Sequence, residues 1–236
     1  MDENQTSHIS KQFNEDMDVL RSLLMSMGGL VERQLVEAVQ ALLAVDSQVA
    51  EAVRARESDV DDFEIRIDEE CTRVLVRRQP AARDLRLIMA VSKATRDLER
   101  IGDEADKVAK MAIKLSEDGL APKSSAEIRH MGNMVVEMVR DTLNAFARGD
   151  AKRALTVLER DADVNQEHDS VMRTLVTHMM EDPRSITRVL NVIWSIRALE
   201  RIGDHARNIA EHTIYMVKGE DVRHSPIDEV ERTVRR

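Results

Sequence analysis

Cysteine, aromatic residues, glycine and proline are all scarce in this 236-residue chain, and each scarcity excludes something. Cys71 is the only cysteine, so no internal disulfide can form and nothing points to an oxidising compartment. Five aromatic residues, Phe13, Phe63, Phe146, Trp194 and Tyr215, leave little ring surface for a base-stacking platform or an aromatic cage. Eight glycines and four prolines are too few turn formers for a many-stranded β fold. No apolar run approaches the ~18–20 residues needed to cross a bilayer. The opening MDENQTSHISKQF is polar and acidic, unlike a signal peptide. Positive charge is in deficit as well. With 35 Lys and Arg against 44 Asp and Glu, the net charge is −9, and no basic block offsets it, which argues against nucleic acid as a partner. A soluble cytoplasmic protein is expected, without a membrane span of its own.

What is abundant is Ala, Leu, Ile, Val and Met, the material of long packed helices, so the chain reads as all-α. Breaks at Pro80, Gly119 with Pro122, Gly149, Pro183, and Gly219 with Pro226, plus an Asp/Ser cap signal at Val45-Asp46-Ser47, leave six helical segments. These run over about 8–45, 48–78, 81–117, 124–148, 151–181 and 184–218, lengths that suit bundle packing. The polar tail 219–236 receives no element.

An internal repeat organises these segments. LERIGDEADKVA at 98–109 matches LERIGDHARNIA at 199–210, an offset of 101 with 8 of 12 positions identical. Pro80 pairs with Pro183 at 103, while Met27-Gly28 with Met131-Gly132 and Asp46 with Asp150 pair at 104. Residues 8–117 and 124–218 therefore read as two tandem three-helix bundles, joined by a linker at Gly119–Ser125. The third helix of each copy carries a heptad seam: Ile88/Val91, Thr95/Leu98, Gly102/Ala105 and Ala109/Ala112, then Val189/Val192, Ile196/Leu199, Gly203/Ala206 and Ala210/Thr213. Gly102 and Gly203 cost about 1 kcal/mol each against Ala, and close helix approach is the expected reason for them.

Acidic residues lie beside these seams. Glu99 and Asp103, four apart, share one helix face, and Glu200 and Asp204 repeat the pattern. On the preceding helices, Glu57 with Asp61 and Asp161 with Asn165 are again spaced by four, beside the stripes Val53/Val60/Ile67/Val74 and Val157/Val164/Val171. A hairpin turning near 79–80 puts residue 57 level with about 102, and one near 182 puts 161 level with about 203. Four carboxylates gathered at one height repel by roughly 4 kcal/mol per close pair at an effective dielectric of 20, which calls for a cation, protonation or arginine neighbours. Oxygen ligands suit Mg²⁺, Ca²⁺, Mn²⁺ or ferric iron and exclude a thiolate zinc site; His168 could add a nitrogen ligand in the second copy. Against a metal stand Arg96, Arg100, Arg197 and Arg201, each three residues before one of these acids, as in ordinary solvated ion pairs.

The doubled LERIGD, the string RRQPAARDLR at 77–86 and DHARNIAE at 204–211 resemble the PhoU family over about residues 8–218. That resemblance implies a non-enzymatic negative regulator of the phosphate-starvation regulon. It implies a homo-oligomer, often a dimer, that links the ATPase of a phosphate transporter to a sensor histidine kinase, peripheral to the inner membrane through those partners. It also implies a surface metal cluster, iron or zinc, on each bundle. Residue by residue, Glu57, Asp61, Glu99 and Asp103 match in the first copy, and Asp161, Glu200 and Asp204 in the second, where Asn165 replaces an expected acid. Two alternatives remain: a ferritin-like di-iron oxidative enzyme, for which only Glu127/His130 supplies an ExxH pair, and a metal-free helical scaffold. No phosphate-cradling glycine loop or nucleophile constellation is present.

Overall fold

A computed structural model describes residues 3–80, 82–117 and 125–236, with side chains from Gln12 onward. Among the described residues there are helices and no strands: α1 (Glu3–Ala44), α2 (Ser47–Arg54), α3 (Glu57–Arg78), α4 (Ala82–Glu117), α5 (Ser125–Arg148), α6 (Ala151–Glu181), α7 (Ile186–Lys218, entered through a 3-10 turn at Pro183–Ser185) and α8 (Ile227–Arg235). The all-α class and the tandem bundle architecture hold. The expected linker lies outside the described residues except for Ser125.

Helix starts follow local chemistry. Asp46 accepts from the Gln48 and Val49 amides at 2.9 and 3.1 Å, and Asp150 accepts from Lys152 and Arg153 at 3.1 and 3.0 Å. Each carboxylate thereby satisfies two of the amides that a helix N-terminus leaves open. The residue before each cap has a left-handed backbone: Gly149 at φ 60°, and Val45 at φ 56° in the equivalent place.

Two elements differ from expectation. The segment over 48–78 is broken after Arg54, where no glycine or proline marks a boundary. There the Arg56 side chain replaces the lost helical partners: its Nε donates to the Ala52 carbonyl at 3.0 Å and its guanidinium pairs with Glu37. The tail, left without an element, forms α8, whose Val230 and Val234 are buried where it packs on α6 and α7.

All sixteen seam residues of α4 and α7 are buried, as are the valine and isoleucine stripes of α2, α3 and α6. Met131 and Met138 are core, with Met134 packed against it. The two repeats share one continuous apolar core: α4 packs along α7, and α1 against α5. Gly102 faces Val60 and Gly203 faces Val164, but a Cβ at either would sit 3.4 Å from the nearest valine methyl, an ordinary contact. The close approach expected there is real without being tight. The tight glycines are on the other crossing, where Gly28 lies against Leu143 and Gly132 against Val39.

Candidate functional site

Across α3 and α4 the first acidic group assembles one turn from the expected register, since Val60, rather than Glu57, faces Gly102. Glu57 opens α3 and shares a side-chain hydrogen bond with Asp103 of α4. Burial first, then Asp106, Asp103 and Asp61, push the Glu57 carboxyl up to about 7, and in its protonated form it can donate to Asp103. Glu99 is raised by burial, then by Asp103, with Glu64 and Asp61 adding to it and Arg100 opposing. Glu64 rises through burial, Asp68 and Asp61. Asp61 and Asp103 thus bear on both Glu57 and Glu99, with Asp106 acting on Glu57 and Glu64 on Glu99.

Arginine answers part of that charge. Arg100 lies 3.3 Å from Glu99 and 3.4 Å from Asp103, while Arg54 reaches Asp106 at 2.8 Å. Arg96 makes no ion pair among the described residues; its charge acts on Glu64.

In the second group Asp161, on α6, is buried and bonded to Arg207 of α7 at 2.9 Å, and the Asn165 amide donates to it at 3.4 Å. Asp204 is raised by burial, then by Glu200 and Asp161, against His205 and Arg207. The four expected residues are together here also. The arginines are not the expected ones: Arg201 crosses to Glu104 of the first repeat at 3.0 Å, and Arg197 stacks over Trp194. The clamp on Asp161 is Arg207, which also reaches Glu211 at 3.3 Å.

The donor chemistry fits a hard cation in the first group, where acids outnumber the arginines touching them. In the second, the His168 Nε2 atom is buried with no hydrogen-bond partner, an open nitrogen on the helix that carries Asp161 and Asn165. The geometry as it stands is not a closed ligand shell: among the described residues no three His, Cys, Asp or Glu side chains converge to hold a metal ion. Cys71 is buried, and burial, with Asp68 and Glu70, pushes its thiol up to about 12, well away from a metal-binding thiolate. His130 of the single ExxH pair is exposed at the start of α5.

One polar node escaped the sequence reading. Asp97 of α4 accepts from His205 Nδ1 at 2.9 Å, Asn208 Nδ2 at 3.0 Å and His212 Nε2 at 3.1 Å, all on α7. Burial opposes ionisation of Asp97, but these donors together prevail and hold its pKa down to about 2. The available signal was the spacing of 205, 208 and 212, which places three polar side chains on one face of α7.

Comparison with known proteins places this architecture. A family model described as the PhoU domain matches twice, at residues 24–112 and 128–213. A Pseudomonas putida protein named as a phosphate-specific transport system accessory protein PhoU homolog is 56% identical over 222 residues, covering 94% of this chain and 87% of its own. The Escherichia coli phosphate-specific transport system accessory protein PhoU is 41% identical over 229 residues, covering 97% and 95%. The crystal structure of PhoU from Pseudomonas aeruginosa superposes with a TM-score of 0.86 at 55% identity, covering 88% of this chain and all of that one.

Proposed function

This chain belongs to the PhoU family, and from that premise we propose that it is an accessory, regulatory protein of phosphate-specific transport. The observation that carries the reading is the identity to named accessory proteins along nearly the whole length, with the family model matched once in each repeat. In finer detail, the proposed role is a non-enzymatic negative regulator of the phosphate-starvation regulon. It would act in the cytoplasm as a homodimer, relaying the state of the transporter ATPase to a sensor histidine kinase. That no described helix is long and apolar enough to cross a membrane is compatible with docking through partners. Residues 8–117 and 124–218 are the two units of this reading, and 219–236 the tail.

The proposal includes a cation at each acidic group: Glu57, Asp61, Glu99 and Asp103 in the first, and Asp161, Asn165, Glu200 and Asp204 in the second. Iron or zinc is the family expectation, with Mg²⁺, Mn²⁺ or Ca²⁺ suited to the oxygen donors. A cation would offset the burial and, after it, the neighbouring carboxylates that raise Glu57 and Glu99. A second reading, a metal-free scaffold, is favoured at the second group by the Arg207 clamp on Asp161.

A deletion strain tests the regulatory role. Loss of the gene should release phosphate-starvation genes in phosphate-rich medium, with control restored by the wild-type copy, and the protein should capture the transporter ATPase or the kinase cytoplasmic domain. Unchanged phosphate control together with capture of neither would overturn the role.

A further inference from the structure

Helices α4 and α7 are equivalent members of the two repeats and pack against each other, so one side of their contact can be compared with the other through the 101-residue offset. On one side, Asp97 fills the space between the helices and takes the three donors His205, Asn208 and His212, while Lys93 stacks on Tyr215 at 5.5 Å. The equivalent positions on the other side are Ala198 for Asp97, Glu104 for His205, Lys107 for Asn208 and Met111 for His212, and the stacked pair is replaced by Trp194 and Lys114. The acid that closes the first side has no counterpart on the second.

Where that acid is missing there is a pocket of about 360 Å³, floored by Ala198 and Met111. Five cations line it, and Glu104, 5% exposed, is the one acid among the lining residues. Glu104 is already bonded to Lys107 at 2.9 Å and Arg201 at 3.0 Å. Lys110, Lys114 and Arg197 have no carboxylate in ion-pair range among the described residues. On a chain of net charge −9, three unneutralised cations around one cavity are a local reversal of sign that draws anions in. Trp194, 56% exposed and stacked by Arg197 at 5.8 Å, stands at the same pocket as an aromatic plate.

We propose that this pocket binds a phosphate-bearing anion, whose oxygens take the place that the Asp97 carboxylate holds on the opposite side. A single carboxylate would leave two of the three free cations unmatched, whereas a phosphate group carries more than one negative charge near neutral pH and several acceptor oxygens. The volume lies toward the lower end of small-ligand pockets, ~300–1,000 Å³. Free phosphate and the phosphate chain of a nucleotide share the chemistry, and only the second would also use the face of Trp194. The site stands on its own charge and shape, independent of the regulatory role.

Trp194 is the only tryptophan, so its emission reports on this pocket in the full-length protein. Inorganic phosphate, ATP and adenosine are titrated separately at ionic strength fixed with potassium chloride, by fluorescence and by calorimetry. The expected result is saturable binding of phosphate or ATP, weakened about tenfold or more in K110E/K114E, whose parent side chains are both exposed, and lost in A198D, which places a carboxylate in the cavity. Saturation by phosphate assigns the free ion, and saturation by ATP alone a nucleotide. Absence of heat and fluorescence change with both would overturn the proposal. So would affinity unchanged in K110E/K114E, or adenosine binding as tightly as ATP.

Discussion

Gly28 of α1 lies under Leu143 of α5, and Gly132 of α5 lies under Val39 of α1, so one helix crossing is built twice from residues 104 positions apart. A Cβ on Gly28 would come within 2.5 Å of Leu143 Cδ2, and one on Gly132 within 2.7 Å of Val39 Cγ1. The duplication seen in the sequence is therefore also a packing relationship: each copy supplies the small residue that the other copy's aliphatic side chain covers.

Flexibility of the covering side chain separates these glycines in a denaturation series. Gly132→Ala should destabilise by about 1–3 kcal/mol, because Val39 is branched at Cβ and cannot turn its methyls away. Gly28→Ala should cost less, since the clash is with the end of a leucine that can change rotamer. Gly102→Ala, where 3.4 Å is available, should be neutral or gain up to about 1 kcal/mol from helix propensity. Equal losses at all three positions would contradict the packing description.

Val45 occupies a left-handed backbone position that its equivalent in the second copy gives to Gly149. Such a conformation costs a residue with a Cβ about 1–2 kcal/mol, most for a β-branched one. Val45→Gly should raise the melting temperature by relieving that strain, less the entropy that glycine adds to the unfolded chain. A lower melting temperature would mean that the partly buried valine gains more from packing than it loses in strain.

Asp97 sets an acid limit on stability. Its folded pKa of about 2 lies below the ordinary aspartate value of about 3.9, so its contribution is full above about 4 and disappears as pH falls toward 2. That shift corresponds to about 2 kcal/mol. Asp97→Asn should lower stability by about that amount at neutral pH and flatten its fall between pH 4 and 2. A variant that keeps the wild-type acid slope would remove Asp97 from the account.

The duplicated scaffold was legible because its signals are local or periodic. Sixteen seam positions at spacings of three and four, and aspartates at 46 and 150, needed no knowledge of tertiary structure. The break after Arg54 was hidden because it depends on a side chain, Arg56, bonding to Ala52 and Glu37 rather than on a turn-forming residue. The short helix α8 was hidden by its polar sequence, with only Val230 and Val234 facing inward. Hairpin arithmetic brought the acidic pairs together but missed the register by a turn. Which arginine answers each acid was decided across elements: Arg201 leaves its own helix face for Glu104, and Arg207 takes Asp161. Asp97 meets its partners more than a hundred residues away in the chain, so the spacing of 205, 208 and 212 marks the polar face of α7 without pointing to the acid it meets.

Cation binding can be divided between the two copies. Glu99→Asn with Asp103→Ala removes two carboxylates from the first group and leaves Asp161, Glu200 and Asp204 in place. Chelation of the wild-type protein should lower its melting temperature, because the carboxylates around Glu57 and Glu99 then repel without a counter-ion. The same treatment should have a smaller effect on the double variant.

Elemental analysis of protein purified without a histidine tag is the most direct measurement, run side by side on the wild type and the Glu99→Asn/Asp103→Ala variant. The account predicts bound metal in the wild type and about half as much in the variant, as expected for two independent groups of oxygen donors. Metal-free wild-type protein, or the same metal-to-protein ratio in both, would contradict it.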